Sequence, residues 1–410
     1  MGTTSTPPPR SHFRALLLEG IHPSAHAALE SAGCVVEALP KALPEPELIA
    51  RIQGVHVLGI RSKTHVSPAV LASAPELLAV GCFCIGTNQV ALDRAHDRAV
   101  PVFNAPFSNT RSVAEMIIAE VIFLARQLGD RVREMHAGRW KKVASRCHEV
   151  RGRTLGIVGY GHIGRQVGVL AEAVGLRVLF YDTGTRLPMG NNTPVASLDE
   201  LLARSEFVTL HVPGTPQTHR MITAQLLSRM RPGAYLLNAS RGTVVDLDAL
   251  AEALRSGHLA GAAVDVYPDE PEANGEGFAT PLKDLPNVLL TPHVGGSTEE
   301  AQEAIGREVA ASLRGFLVQG TTAGSVNFPQ LELAPSRGTH RVLNVHRNVP
   351  GVLRDVNRIV SERNGNVHAQ LLSTDAELGY LIMDLDQDVT DSVAEAMAAL
   401  STDLRTRVCY

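Results

Sequence analysis

Short apolar runs separated by helical patterns recur from about residue 13 to residue 292, an alternation that predicts parallel α/β architecture. Residues 15–18 form the first run and residues 55–60 another, each followed by a segment of helical periodicity. A sharper series begins at Thr154, with runs at 155–158, 178–181, 207–210, 235–238, 262–265 and 288–290. Strands of a parallel sheet lack polar alternation in this way because helices cover both faces. Between the two series, residues 109–138 read as a long helical stretch, apolar on more than one face. Such a stretch suits a bridge between two lobes that also lies partly in a subunit interface.

The texture changes after Gly320. Residues 321–339 are rich in Pro, Gly, Ser and Thr and read as a linker. Beyond them, strands at 340–345, 367–372, 380–385 and 405–409 alternate with helical segments at about 350–363 and 389–400. That βαββαβ order predicts a small ferredoxin-like unit.

A chain of 410 residues is too long for one ordinary core, in keeping with these breaks. Its net charge of −4 gives no polyanion-binding surface, so nucleic acid is not an expected partner. No run of about 18 apolar residues is present. The nearest, 116–124, is interrupted by Glu120, so no membrane span is expected. Five scattered cysteines suit a reducing compartment, with the cytosol as the default. Cys82-Phe83-Cys84 has one intervening residue and no second Cys/His pair nearby, so no metal site is expected. Met1-Gly2-Thr3-Thr4-Ser5 formally fits N-myristoylation, yet Pro7-Pro8-Pro9 follows and no basic patch adds a second anchor. Residues 1–12 read as a disordered tail, and no secretory signal is present.

The strongest local chemistry is Gly159-Tyr160-Gly161-His162-Ile163-Gly164, which follows an apolar run and opens a helical pattern. Glycines there let backbone amides approach a pyrophosphate at a helix N-terminus. The next run ends in Asp182, 18 residues beyond the last glycine. A carboxylate there accepts hydrogen bonds from ribose hydroxyls and repels a 2′-phosphate, which favours NAD over NADP, although Arg186 is close by. Three further blocks sit at strand ends: Asn238-Ala239-Ser240-Arg241-Gly242, Asp265-Val266-Tyr267-Pro268-Asp269-Glu270-Pro271 and Thr291-Pro292-His293-Val294-Gly295-Gly296. Ligands of open α/β sheets bind outside those ends. Oxidising a hydroxy acid needs a base, a cation for the carboxylate and a hydride acceptor. His293 suits the base, Glu270 can fix its tautomer, and Arg241 can fork onto a carboxylate.

In this order the blocks resemble the D-isomer-specific 2-hydroxy acid dehydrogenases, over nearly the whole chain. Gly59-Ile60-Arg61-Ser62-Lys63-Thr64, the 80–88 segment and the 103–115 segment narrow the resemblance to the branch that oxidises 3-phosphoglycerate. The resemblance implies a Rossmann-type nucleotide domain, 109–297, inserted into a flavodoxin-like substrate domain, 13–108 with 298–330. It further implies a linker at 331–338 and an ACT domain at 339–410. It makes Arg241, Glu270 and His293 catalytic. It places Ala239, Ser240, Asp265, Val294, Gly295 and Gly296 beside NAD, together with the glycine motif, Arg241 and His293. Arg61, Ser62, Lys63, Asn109 and Lys142 would join Arg241 in holding 3-phosphoglycerate or 3-phosphohydroxypyruvate. Many relatives have arginine where this chain has Lys63, which implies altered phosphate affinity. His346, Asn348 and Asn366 would hold L-serine as a feedback effector between paired ACT copies of a homotetramer, although related enzymes often carry an acid where Arg347 stands. Two alternatives stay open: another D-2-hydroxy acid (glycerate, hydroxypyruvate or 2-oxoglutarate) as substrate, and an NAD-sensing corepressor-like binding role.

Overall fold

A computed structural model describes residues 13–271 and 274–409. The expected tail, 1–12, and its Met1-Gly2 pattern lie outside the described residues. The chain divides into two compact units, Asn109–Ala301 and the pair Met1–Ser108 with Gln302–Tyr410.

The first sheet comprises β1 (Phe13–Leu17), β2 (Cys34–Ala38), β3 (Val57–Ile60), β4 (Ala79–Cys82) and β5 (Val102–Asn104). It is wholly parallel, in the order β2-β1-β3-β4-β5, a flavodoxin-like arrangement. Leu16, Leu58, Ile60 and Val80 fill one face; Ala15, Leu17, Val57 and Phe103 meet Val309, Leu313 and Phe316 of the returning helix Glu299–Gln319 on the other.

The Asn109–Ala301 unit holds β6 (Thr154–Val158), β7 (Arg177–Tyr181), β8 (Thr193–Pro194), β9 (Phe207–Leu210), β10 (Ala234–Asn238), β11 (Leu259–Val264) and β12 (Val288–Leu290). Its parallel order, β12-β11-β10-β9-β6-β7-β8, is the Rossmann arrangement extended by one strand. The strand order reverses between β6 and β9, the position at which open sheets of this kind bind ligands. The expected long helical stretch is two helices, Thr110–Arg126 and Leu128–His136, broken at Gln127, whose φ of 51° is left-handed. Only the first helix has an apolar face against the sheet; the second buries none of its residues.

The C-terminal sheet contains β13 (His340–Arg347), β14 (Val367–Thr374), β15 (Leu378–Leu385) and β16 (Asp403–Cys409), antiparallel in the order β14-β15-β13-β16. One face is covered by the helices Val352–Glu362 and Thr390–Ala398; the other packs on Phe328, Leu331 and Ala99. The stretch expected as a loose linker is therefore tied down. Phe328 and Leu331 are buried, each worth about 1.5–3 kcal/mol of apolar burial. Arg341, paired with Asp384 at 2.6 Å, donates to the carbonyls of Gln319, Leu333 and Ala334. Arg407 donates to the Phe316 and Leu317 carbonyls. Both lie in the last turn of Glu299–Gln319, where the Phe316 carbonyl also accepts from Gly320 N and the Leu317 carbonyl has no following turn to bond it. Composition shows the turn-forming residues of the stretch but not arginines supplied from strands that follow it.

Candidate active site

β6 ends at Val158, and Gly159 turns the chain with φ 91°; a Cβ there would sit 2.4 Å from the His211 carbonyl oxygen. A Cβ on Gly164 would lie 2.3 Å from the Gly159 carbonyl, so the helix His162–Ala173 presses directly on the turn. Gly161 caps that helix, faces open space and carries no side chain to occupy the first-turn amides. His162 is exposed at the first turn, and Ile163 packs against the sheet core. An open helix N-terminus beside a tight glycine turn fits a pyrophosphate.

Asp182 follows β7. Its carboxylate accepts from Tyr160 N at 2.9 Å and Gly184 N at 3.0 Å, with Arg186 Nε 3.2 Å away. Burial pushes this carboxyl up, but the two amides and Arg186 together hold it below the usual range. Asp182→Ala is expected to raise the NADPH:NADH ratio of kcat/KM roughly tenfold or more, the size of one charged hydrogen bond. Relief of repulsion and a released Arg186 would act in the same direction. An unchanged ratio would mean that Asp182 does not face the ribose.

The second cluster forms where β10, β11 and β12 end. His293 Nδ1 and Glu270 Oε2 are 2.7 Å apart, and Glu270 Oε1 accepts from Tyr267 N at 3.0 Å. The Glu270 hydrogen bond raises the His293 pKa and outweighs burial. Burial would raise Glu270, but the His293 and Tyr267 bonds and the His293 and Arg241 charges bring it below its ordinary value. Arg241 leaves β10 in a turn where Asn238 Nδ2 donates to the Arg241 carbonyl, and Arg241 Nη1 donates to the Ser240 carbonyl. Ser240 donates its amide and hydroxyl to Asn238 Oδ1. Ala239 lies between them, half-buried against the core.

Asp265, expected beside the nicotinamide, holds the loop that carries His293. Its oxygens accept from Val294 N, Gly295 N and the Thr291 hydroxyl, at 2.8, 2.9 and 2.6 Å. In that loop His293 adopts a left-handed φ of 54°, a backbone state that a non-glycine residue keeps only under such restraint. Glu120, buried on the helix Thr110–Arg126, is pushed up to about 8 by burial and the charge of Asp265. Sequence reading quoted Asn238 and Thr291 within the strand-end blocks without giving either a role, and gave none to Glu120, whose interruption of an apolar run was the available signal.

Asn109 precedes the helix Thr110–Arg126, with its side chain against Gly296 and a buried Oδ1 without a hydrogen-bond partner. Lys142 lies in an exposed loop, and no hydrogen bond or ion pair joins it to the His293 cluster among the described residues. Arg61, Ser62 and Lys63 belong to the other compact unit, where they follow β3. In the C-terminal sheet, His346 is buried, with its ring bonded to Asn344 Oδ1 at 2.8 Å. Asn348 is exposed and donates to the Asp375 carbonyl at 2.6 Å; Asn366, also exposed, donates its amide to Asp386. Asp375 in turn meets His96, beside the first sheet, at 2.7 Å.

The profile described as "D-isomer specific 2-hydroxyacid dehydrogenase, NAD binding domain" matches residues 118–295. The "AHAS small subunit-like ACT domain" profile matches residues 343–403. The chain is 54% identical to D-3-phosphoglycerate dehydrogenase of Dictyostelium discoideum, over 98% of both chains. It is 48% identical to the Escherichia coli K12 protein of that name, again over 98% of each. A solved D-lactate dehydrogenase from Aquifex aeolicus, complexed with NAD and lactic acid, covers 77% of this chain and 100% of its own, at 27% identity and a TM-score of 0.64. No helix is long and apolar enough to cross a membrane among the described residues.

Proposed function

The chain belongs to the D-isomer-specific 2-hydroxyacid dehydrogenase family, and from that premise we propose how its residues carry out the reaction and its control. The reaction is the reversible NAD-dependent oxidation of 3-phospho-D-glycerate to 3-phosphohydroxypyruvate, which opens L-serine biosynthesis. NAD supplies the hydride acceptor. His293 removes the proton of the 2-hydroxyl, and Glu270 stabilises the resulting imidazolium across their 2.7 Å contact, the observation that carries this reading. Arg241 forks onto the substrate carboxylate. In the reductive direction His293 enters protonated and returns the proton.

We assign residues 13–108 with 298–330 to the substrate, 109–297 to NAD, 331–338 to the connection and 339–410 to regulation. Arg61, Ser62 and Lys63 receive the phosphate, with Asn109 and Lys142 completing the substrate contacts. The ACT domain binds L-serine between paired copies through Asn348 and Asn366, with the buried His346 supporting the strand beneath, and joins subunits into a tetramer. The Asp375 turn supports this reading of control: it is bonded to Asn348 on one side and to His96 on the other. The cytosol suits five free cysteines.

Steady-state assays with NADH test the reading. Turnover of 3-phosphohydroxypyruvate should far exceed that of hydroxypyruvate and should fall when L-serine is added. Arg61→Ala and Lys63→Ala should penalise the phosphorylated substrate selectively, in kcat/KM. Equal kcat/KM for the two keto acids would point to another hydroxy acid as substrate, and indifference to serine would leave the ACT domain as an assembly module.

A further inference from the structure

The loop after β3 is held by a carboxylate from a different strand. Glu19 follows β1 in a left-handed turn with φ 63°, succeeded by Gly20 at 62°. Two backbone bonds keep this turn in place: Glu19 N to the Lys41 carbonyl and Gly20 N to the Leu39 carbonyl. The turn aims the side chain at the neighbouring loop. Glu19 Oε1 accepts from Arg61 N at 3.1 Å and Thr64 N at 2.8 Å, and Oε2 accepts from Lys63 N at 3.0 Å. From the other side, buried Gln89 donates to the Arg61 carbonyl at 2.7 Å and to the Gly86 carbonyl at 3.2 Å.

We propose that Glu19 is a positioning residue for recognition of the substrate phosphate, fixing the Arg61–Thr64 loop so that Arg61 and Lys63 present their cations together. The proposal rests on the reading of that loop as the phosphate site. Glu19 engages the amides of Arg61, Lys63 and Thr64 through its carboxylate and Arg61 Nη1 through its carbonyl at 3.5 Å, so it orients the Arg61 side chain as well as the loop and leaves the Lys63 ammonium to the ligand. A negative charge near a phosphate site looks counterproductive, and two effects of opposite sign compete. Glu19 is part-buried, so salt screens its repulsion less than it would between exposed charges, and the cations of Arg61 and Lys63 on the same loop are what offset it. Three amide bonds to one carboxylate are charge-assisted and fix the backbone from which both cations project. Geometry wins, because fixing the loop in advance removes the ordering cost from each binding event. A left-handed glutamate kept by a bond network is the kind of local strain that persists at ligand clamps.

Glu19→Gln preserves size but turns an NH2 group toward one of the donating amides, which loosens the loop. The KM for 3-phosphohydroxypyruvate should rise roughly tenfold or more, the loss expected for a charged hydrogen bond. kcat should stay within about twofold, and KM for hydroxypyruvate should not move, as fits a remote binding contact. Gln89→Leu, which loosens the same loop from its other side, should give the same selective rise and stands in if the Glu19 variant fails to fold. Arg61→Ala is measured in parallel. An unselective Arg61→Ala would overturn the phosphate reading itself. A selective Arg61→Ala beside a silent Glu19→Gln and Gln89→Leu would overturn the positioning role alone. A fall in kcat with both substrates would also overturn it, by making Glu19 merely structural.

Discussion

His293→Ala is expected to lower turnover by about 10²–10⁴-fold while NADH still binds, since a positioned acid–base group contributes that much. The pH dependence carries the finer test. The Glu270 hydrogen bond raises the His293 pKa above its ordinary value, with the charges of Glu270 and Asp265 adding to it. Oxidation needs neutral His293, so its rate should climb as pH rises through that raised value; reduction needs the imidazolium and should decline over the same interval. Glu270→Gln removes the carboxylate that raises the pKa. Both limbs should then move to lower pH, and at neutral pH reduction should suffer more than oxidation, because less imidazolium remains. Half of the His293 side chain is exposed to solvent in the pair, so the shift should be partly screened and should shrink further with added salt. Profiles of kcat/KM in both directions, for wild type and variant, decide it. A Glu270→Gln profile that overlays the wild type would remove that carboxylate from the control of His293.

The nucleotide motif and the three strand-end blocks were legible because their chemistry is local. Glycines that must turn a chain, and a histidine or arginine just past an apolar run, announce their position without knowledge of partners. The parallel sheets were equally legible from unbroken runs such as those ending at Val158 and Asn238. Features set by residues far apart in sequence were not legible. Asp265 works by reaching Thr291, Val294 and Gly295 across a strand connection, and Glu19 by reaching Lys63 and Thr64. The stretch after Gly320 looked like a linker because turn-forming residues give no hint of Arg341, which arrives later and binds the Leu333 and Ala334 carbonyls. The helical break at Gln127 carries no glycine or proline, so periodicity ran through it.

Gly242→Ala should cost at least about 10²-fold in kcat/KM, although Gly242 makes no chemical contribution. It follows Arg241 and begins the short helical turn Gly242–Val244. Its φ is not left-handed, so conformational freedom does not explain the glycine; close approach does. A Cβ there would lie 1.9 Å from the Tyr267 carbonyl carbon, 2.1 Å from its oxygen and 2.5 Å from Pro268 N. All three are backbone atoms, so no side-chain rotation relieves the overlap. The facing turn is itself fixed, because Tyr267 donates its hydroxyl to the Val264 carbonyl and its amide to Glu270. The added methyl must drive apart the turns that carry Arg241 and Glu270, and with Glu270 the orientation of His293. Displacements of about 1 Å in a catalytic constellation can cost about 10²-fold. The glycine motif proposed to receive NAD follows β6, outside this contact, so NADH affinity should fall much less than kcat/KM. Measuring NADH binding and thermal unfolding beside the kinetics separates displacement from collapse. Wild-type kcat/KM in a folded Gly242→Ala protein would show that Arg241 and Glu270 are held in register by something other than this backbone contact.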